Sequence, residues 1–188
     1  ASKGRFWSAA PEWLAQAKPT SDGGNSLLLS FIQEIDMCID KTLSRLKDGY
    51  QIDAFLWHQG ESDYAKSKDY YRNLKTMVAY VRMHLTEKTG KDYSRLPFIF
   101  GTVARSNKYF SREVENAMKQ LAAEDPNMHL IDMSGAELLN DRLHFTAHSA
   151  EYLGQQVYKQ LEQIIKGVTV RTDELKGKRL GIIGDSYV

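Results

Sequence analysis

Residues 52–57, Ile-Asp-Ala-Phe-Leu-Trp, decide the fold class of this chain. The run is short and nearly all apolar, which is typical of a β-strand buried on both faces of a parallel sheet. Two further apolar runs follow along the chain, Phe-Ile-Phe-Gly-Thr-Val at residues 98–103 and Met-His-Leu-Ile-Asp at residues 128–132. Pro97 directly precedes the first of these two, a position that suits the start of a strand. The three runs predict three strands.

Around these runs, apolar residues recur at intervals of three and four, which is the spacing of amphipathic helices. The pattern predicts helices at about residues 25–47, 68–88, 110–123 and 149–166. Asn25 or Ser26 is the expected cap of the first helix, and Gly49 its stop. Strands that alternate with helices of this length indicate parallel β-α units. The sequence therefore predicts an α/β fold, a three-layer α/β/α sandwich with a parallel sheet.

Composition excludes several classes of protein. The chain has 25 Lys and Arg against 24 Asp and Glu, a net charge of +1, so we expect no general attraction to nucleic acid. No segment approaches the roughly 18 uninterrupted apolar residues of a membrane span, which predicts no membrane insertion. The single cysteine, Cys38, excludes an internal disulfide. Residues 1–5 do not read as a signal peptide, so the sequence itself does not indicate the compartment.

A first polar cluster, Trp57-His58-Gln59-Gly60-Glu61-Ser62-Asp63, follows the first strand directly. Ligands collect at the carboxyl edge of parallel sheets because the loops there converge beside helix N-termini. Polar side chains in this number are poorly explained by packing. The alternative is an ordinary polar loop with helix-capping residues.

A second cluster, Asp141-Arg142-Leu143-His144-Phe145, precedes the last long helix. A carboxylate three residues before a histidine can bond one imidazole nitrogen, which fixes the tautomer and leaves the other nitrogen as a general base. The D-x-x-H pattern is common by chance, and the alternative is a solvated loop histidine.

A third cluster, Gly184-Asp185-Ser186, directly follows residues 179–183, a further apolar run that predicts another strand. A serine on a tight turn after a strand can be exposed for nucleophilic attack, with backbone N–H groups of the turn near the oxyanion. The alternative is a turn or cap, where Ser beside Asp is common.

Together the three clusters resemble the SGNH hydrolase superfamily, in which a G-D-S or G-Q-S serine opens the domain and a D-x-x-H pair closes it. The run W-H-Q-G-E-S-D is similar to the signature of the sialate O-acetylesterase and acetylxylan esterase branch. The resemblance covers about residues 20–166. It implies the flavodoxin-like three-layer sandwich of SGNH hydrolases.

The resemblance also implies roles for single residues. His144 would be the general base and Asp141 its orienting carboxylate. Gln59 would offer its side-chain amide to the oxyanion, and Glu61 would brace the site or act as a second acidic partner of the histidine. Gly60, His58 and Asp63 match the motif in supporting positions. Among the other histidines, we expect surface or packing roles for His84, His129 and His148.

The chain departs from this family in its nucleophile. The branch carries it on the first strand, as G-Q-S-N, and no such motif occurs among residues 1–56. We therefore expect residues 1–166 to form an SGNH esterase domain without its nucleophile strand, followed by a linker at residues 167–178. Residues 179–188 are either the start of a second SGNH domain in a cut tandem protein, which the spacing favours, or a permuted nucleophile strand. Ser186 is a conditional nucleophile under the second alternative.

The function that the resemblance implies is that of a serine esterase hydrolysing O-acetyl esters on carbohydrates through an acyl-enzyme. The partner would be an acetylated carbohydrate, and no cofactor and no metal are expected, since the histidines lack ligand spacing. A periplasmic or secreted location is expected from the family alone. One alternative is a GDSL-type esterase of another substrate class. The other is a non-catalytic carbohydrate-binding domain or pseudoenzyme, in which Trp7 and Trp13 hold sugar rings.

Overall fold

A four-stranded parallel sheet forms the centre of the molecule. The computed structural model describes residues 27–169 and 178–185, with the side chains of residues 27–167. The strands are β1 (Tyr50–His58), β2 (Phe98–Gly101), β3 (Met128–Ile131) and β4 (Lys178–Asp185). Their order across the sheet is β3-β2-β1-β4, and every neighbouring pair is parallel. The three strands predicted from the apolar runs are therefore adjacent and parallel, as expected.

Helices cover both faces of this sheet. They are α1 (Leu27–Lys41), α2 (Ser67–Thr89), α3 (Arg112–Glu124) and α4 (Ala147–Thr169). Short 3₁₀ helices lie at Leu43–Arg45 and Glu61–Lys66. Among the described residues, no helix is long and apolar enough to cross a membrane.

The strands separate two apolar cores because successive side chains point to opposite faces. Phe55 and Phe98 belong to the larger core, which they share with the buried faces of α1, α2 and α3. Ala54 and Ile99 belong to the smaller core, against which α4 packs. This arrangement confirms the predicted three-layer α/β/α sandwich.

The end of α1 and the start of α3 differ from the sequence expectation for local reasons. Helix α1 ends at Lys41, and a 3₁₀ turn follows in which Leu43 stays buried, so the apolar pattern continues beyond the α-helix itself. Gly49 then has φ +72°, in the left-handed region that glycine adopts without strain, and leads the chain into β1. Helix α3 begins at Arg112, because the Ser111 side chain accepts a hydrogen bond from the backbone N–H of Val114 and caps the first turn.

Strand β4 pairs with β1 along its whole length, from Tyr50 opposite Lys178 to His58 opposite Asp185. It lies in the same sheet and not in a separate one, which is the position that the permuted arrangement predicts. Whether residues 179–188 are native to this sheet or open a second domain stays a prediction.

The segment predicted as a linker, residues 167–178, overlaps both neighbouring elements, since α4 extends to Thr169 and β4 begins at Lys178. The predictions for residues 1–24, for Asn25 and Ser26 as caps, and for Ser186 lie outside the described residues.

Candidate active site

The loops that follow β1, β2 and β3 meet at the carboxyl edge of the sheet. After β2 and β3 the chain stays hydrogen-bonded: the Met133 N–H donates to Thr102 Oγ1 at 2.8 Å, and the Arg105 N–H donates to the Ser134 carbonyl at 2.9 Å. Thr102 and Met133 are both buried, so the first of these bonds is shielded from water. The edge is therefore a fixed base on which polar side chains can be held in place.

Asp141 and His144 form a hydrogen-bonded pair in the turn before α4. One carboxylate oxygen, Oδ2, lies 2.5 Å from His144 Nδ1. The other, Oδ1, accepts hydrogen bonds from the backbone N–H groups of Leu143 at 2.9 Å and His144 at 3.1 Å. Both oxygens are thus occupied, and the carboxylate is fixed relative to the imidazole. The structure brings together the two residues predicted as base and orienting carboxylate.

The Asp141–His144 pair has the electrostatics that a general base requires. The hydrogen bond from the imidazole, with the N–H groups of Leu143 and His144, lowers the pKa of Asp141 to about 2. An ionised carboxylate only accepts hydrogen bonds, so Nδ1 must carry the proton. In a neutral imidazole Nε2 then has the free lone pair. The His144 side chain is 59% exposed, and no other group among the described residues hydrogen-bonds its ring.

The turn that carries this pair is attached to the loop after β2. Arg142 takes φ +55°, an unusual value for a residue other than glycine. Its carbonyl accepts a hydrogen bond from the Lys108 N–H at 3.0 Å, and the Asn107 amide donates to the Leu143 carbonyl at 3.2 Å. Asn107 is only 5% exposed. Sequence reasoning missed Asn107, since nothing local distinguishes it from an ordinary loop asparagine.

The Gln59 loop is built from buried groups. Gln59 is 4% exposed, and its side-chain amide donates a short hydrogen bond to the Asp63 carboxylate. Since a carboxylate accepts and does not donate, Asp63 fixes which end of the Gln59 amide faces it. The buried Tyr70 hydroxyl donates to the Gln59 carbonyl at 2.9 Å. Burial raises the pKa of Asp63, an effect that the hydrogen bond from Gln59 partly opposes.

Two glycines allow the Gln59 loop to pack closely. A Cβ on Gly60 would lie 2.9 Å from Val103 Cγ2 and 3.0 Å from Met118 Cε. A Cβ on Gly101 would lie 2.8 Å from the Nδ1 atom of His58. Gly101 thus leaves the space that the His58 ring occupies. Substitution at either position requires the neighbouring side chains to move.

The two clusters of the sequence meet through His58. Its ring lies 5.0 Å, centroid to centroid, from the ring of Phe145, which follows His144. Its Nε2 atom lies 3.7 Å from a carboxylate oxygen of Glu61. Glu61 is therefore placed beside His58, whereas the acidic group that bonds His144 is Asp141.

Ser186 lies outside the described residues, and the strand that precedes it ends at Asp185, opposite His58. The described part of the chain contains no cluster of three His, Cys, Asp or Glu residues that could hold a metal ion.

Comparisons with known proteins found a relative in Arabidopsis thaliana. The chain is 29% identical over 119 residues to a protein of Arabidopsis thaliana named probable carbohydrate esterase At4g34215, a match that covers 62% of this chain and 42% of that protein. The solved X-ray structure of the Arabidopsis thaliana protein AT4G34215 superposes with a TM-score of 0.57 at 24% identity, over 74% of this chain and 58% of that one. The structural likeness shows the shared fold. This chain spans about half the length of these relatives.

A family model matches residues 18–163, which include the Gln59 loop, the Asn107 loop and the Asp141–His144 pair. Its description is carbohydrate esterase, sialic acid-specific acetylesterase, and the match extends over more than half of the 188 residues. The chain belongs to this carbohydrate esterase family.

Proposed function

We propose that the protein hydrolyses O-acetyl esters on carbohydrates through an acyl-enzyme, with His144 as general base and Asp141 as its orienting carboxylate. The observation that carries the proposal is the 2.5 Å contact between Asp141 Oδ2 and His144 Nδ1. The contact lies in an exposed turn at the carboxyl edge of the sheet. Membership of the carbohydrate esterase family supports the substrate class.

In the proposed reaction, His144 Nε2 takes the proton of a serine hydroxyl while the serine oxygen attacks the acetyl carbonyl. The ionised Asp141 stabilises the imidazolium that forms. The imidazolium then gives its proton to the departing sugar oxygen, and a serine-bound acetyl group is left. Water hydrolyses this ester with His144 again as base, which releases acetate. Each such proton transfer typically contributes ~10²–10⁴ in rate.

Gln59 is proposed to stabilise the tetrahedral oxyanion through its side-chain amide. The carboxylate of Asp63 accepts one of the two amide N–H groups, which leaves a second donor in a fixed direction. Tyr70 holds the backbone of Gln59 from the interior. A donor that is held in advance costs little reorganisation when negative charge develops.

The nucleophile is proposed to be Ser186, with a serine outside residues 1–188 as the alternative. The position of β4 supports Ser186, because Asp185 lies opposite His58 at the edge where the Gln59 loop begins. The absence of a G-Q-S-N motif from residues 1–56 leaves a serine outside residues 1–188 as the alternative.

A fluorophosphonate probe tests the proposal on the full-length protein. Such probes react with serines that a neighbouring base activates. We expect one labelled serine, identified by peptide mapping, and loss of labelling in His144→Ala. The matched control is His148→Ala, an exposed histidine four residues away, which should label normally. Labelling that is unchanged in His144→Ala would contradict the role of His144, and labelling of no serine would favour a non-catalytic carbohydrate-binding protein.

A further inference from the structure

Two tyrosine rings are stacked at the same edge of the sheet as the Asp141–His144 pair. Tyr64 lies on the 3₁₀ turn after the Gln59 loop, and Tyr109 lies on the loop after β2. Their ring centroids are 4.9 Å apart and the planes are inclined by 29°. Tyr64 is 48% exposed, and Tyr109 is half-buried. The pair is thus an aromatic surface that two separate loops hold open to solvent.

Hydrogen bonds connect this pair to both parts of the candidate active site. The Tyr109 N–H donates to Asn107 Oδ1 at 2.9 Å, and the amide nitrogen of the same Asn107 donates to the Leu143 carbonyl, next to His144. On the other side, Tyr64 directly follows Asp63, which accepts the hydrogen bond from Gln59. The two rings therefore bridge the loop of the proposed base and the loop of the proposed oxyanion donor.

We propose that the Tyr64–Tyr109 pair binds the sugar ring of the substrate by stacking. This proposal rests on the proposed function and adds to it the residues that recognise the carbohydrate. A pyranose ring has a face of C–H groups, which carry partial positive charge, and the face of an aromatic ring is negative. Tyrosine loses little conformational freedom on binding because it has only two side-chain torsions.

Lys108 adds a charge to this surface. Its ammonium nitrogen lies 5.2 Å from the centroid of the Tyr109 ring, within the range of a cation–π contact. Lys108 is exposed, and its backbone N–H is bonded to Arg142 in the His144 turn. A positive charge beside a stacking surface favours a sugar that carries a carboxylate. The Tyr64–Tyr109 pair with Lys108 therefore fits an acidic O-acetylated sugar better than a neutral one.

The test compares two esters in the full-length protein, an O-acetylated sialic acid and 4-nitrophenyl acetate, which has no sugar. In Tyr64→Ala we expect the ratio of the two kcat/KM values to fall by about 10- to 100-fold, a loss comparable to that of one aromatic ring stacked on a nucleobase. Tyr64→Phe should keep the wild-type ratio of the two kcat/KM values, because the ring and not the hydroxyl makes the contact. Tyr158→Ala is the matched control, since Tyr158 is 65% exposed on α4. An equal loss on both esters in Tyr64→Ala would overturn the proposal.

The Lys108→Gln variant distinguishes the contribution of the Lys108 charge from that of stacking on the tyrosine rings. We expect it to lower kcat/KM for O-acetylated sialic acid and to leave the value for acetylated xylo-oligosaccharide nearly unchanged. An equal effect on both sugars would contradict the role of the ammonium group.

A binding measurement distinguishes failure of this inference from failure of the proposed function. Methyl α-sialoside carries no ester, so its binding to the His144→Ala protein, followed by NMR, does not depend on catalysis. Weaker binding of the sialoside to the double variant His144→Ala/Tyr64→Ala would support the stacking surface even if the wild-type protein hydrolysed neither ester. Unchanged binding would overturn the inference even if esterase activity were present.

Discussion

Among the described side chains, histidine and aspartate form hydrogen-bonded pairs between helices α1 and α2 and in the turn before α4. His84 Nε2 lies 2.8 Å from Asp36 Oδ1, and His144 Nδ1 lies 2.5 Å from Asp141 Oδ2. The contacts are chemically alike, but the surroundings differ. The side chains of His84 and Asp36 are 20% and 31% exposed, against 59% and 42% for His144 and Asp141.

The two pairs also differ in the ring nitrogen that each uses. His84 bonds through Nε2, the outer nitrogen, to a residue 48 positions away, and so connects two helices. His144 bonds through Nδ1 to a residue only three positions away, which leaves the outer nitrogen directed away from the bond. The first pair has its outer nitrogen occupied by a structural contact. The second has an oriented imidazole whose outer nitrogen bonds no group in residues 27–167, at an edge where loops from three strands meet.

Since the two pairs share the same contact, a His–Asp contact alone does not indicate catalysis. Position relative to the sheet edge and the identity of the bonded nitrogen separate a contact that stabilises packing from one that can move a proton.

The largest expected difference between the pairs is in turnover. Asp141→Asn should lower kcat of the full-length protein for an O-acetylated sugar on the order of 10³-fold, because a neutral amide neither fixes the Nδ1–H tautomer nor stabilises the imidazolium. Asp36→Asn is the matched control and should leave kcat unchanged. Initial rates of acetate release measure both. Comparable losses in the two variants would remove the distinction between the pairs.

A smaller difference, of opposite direction, is expected in stability. His84→Ala should lower the free energy of unfolding by about 1–2 kcal/mol, because it removes a partly buried bond to a carboxylate and leaves Asp36 with only a longer contact to Lys88. His144→Ala should leave the urea midpoint near that of the wild type, since its ring is mostly exposed. A larger shift in His144→Ala than in His84→Ala would mean that the turn before α4 is a structural support.

The smallest expected effect is on the stability of the fold at acidic pH. The pKa of Asp141 is lowered to about 2 from 3.8, chiefly by the bond from His144, so the folded state favours the ionised form. This contribution is fully present above about pH 4 and is lost as the pH falls toward 2. Thermal unfolding of Asp141→Asn, measured from pH 5 to pH 2.5, should therefore depend less on pH than that of the wild type. Parallel curves would show that the carboxyl is not stabilised in the fold.

The parts of the structure that depend on neighbours in sequence could be predicted. The apolar runs predicted the three adjacent strands, and the D-x-x-H spacing predicted the Asp141–His144 contact, because three residues suffice to bring the groups together in a turn. The phase of α2 is harder to predict: Tyr70 is buried, and its neighbour Tyr71 is only partly buried. Periodicity alone does not separate two adjacent tyrosines, and the bond from Tyr70 to the Gln59 carbonyl decides between them.

Contacts between distant parts of the chain could not be predicted in this way. The bond from Asn107 to Leu143 joins residues 36 positions apart, and the fit of His58 against Gly101 depends on how two strands are placed. The family resemblance implies Glu61 as a possible second partner of His144, whereas the path of the loop places it beside His58. In each of these cases the deciding quantity is a tertiary distance, which no local pattern contains.

The most direct test of the account is acetate release from an O-acetylated sugar by the full-length protein in two variants, His144→Ala and His84→Ala. We expect a loss of about 10³-fold or more in kcat for His144→Ala, as for removal of a catalytic base. His84→Ala should turn over at nearly the wild-type rate at a temperature where it is folded. Near-normal turnover by His144→Ala would contradict the assignment of His144 as the base.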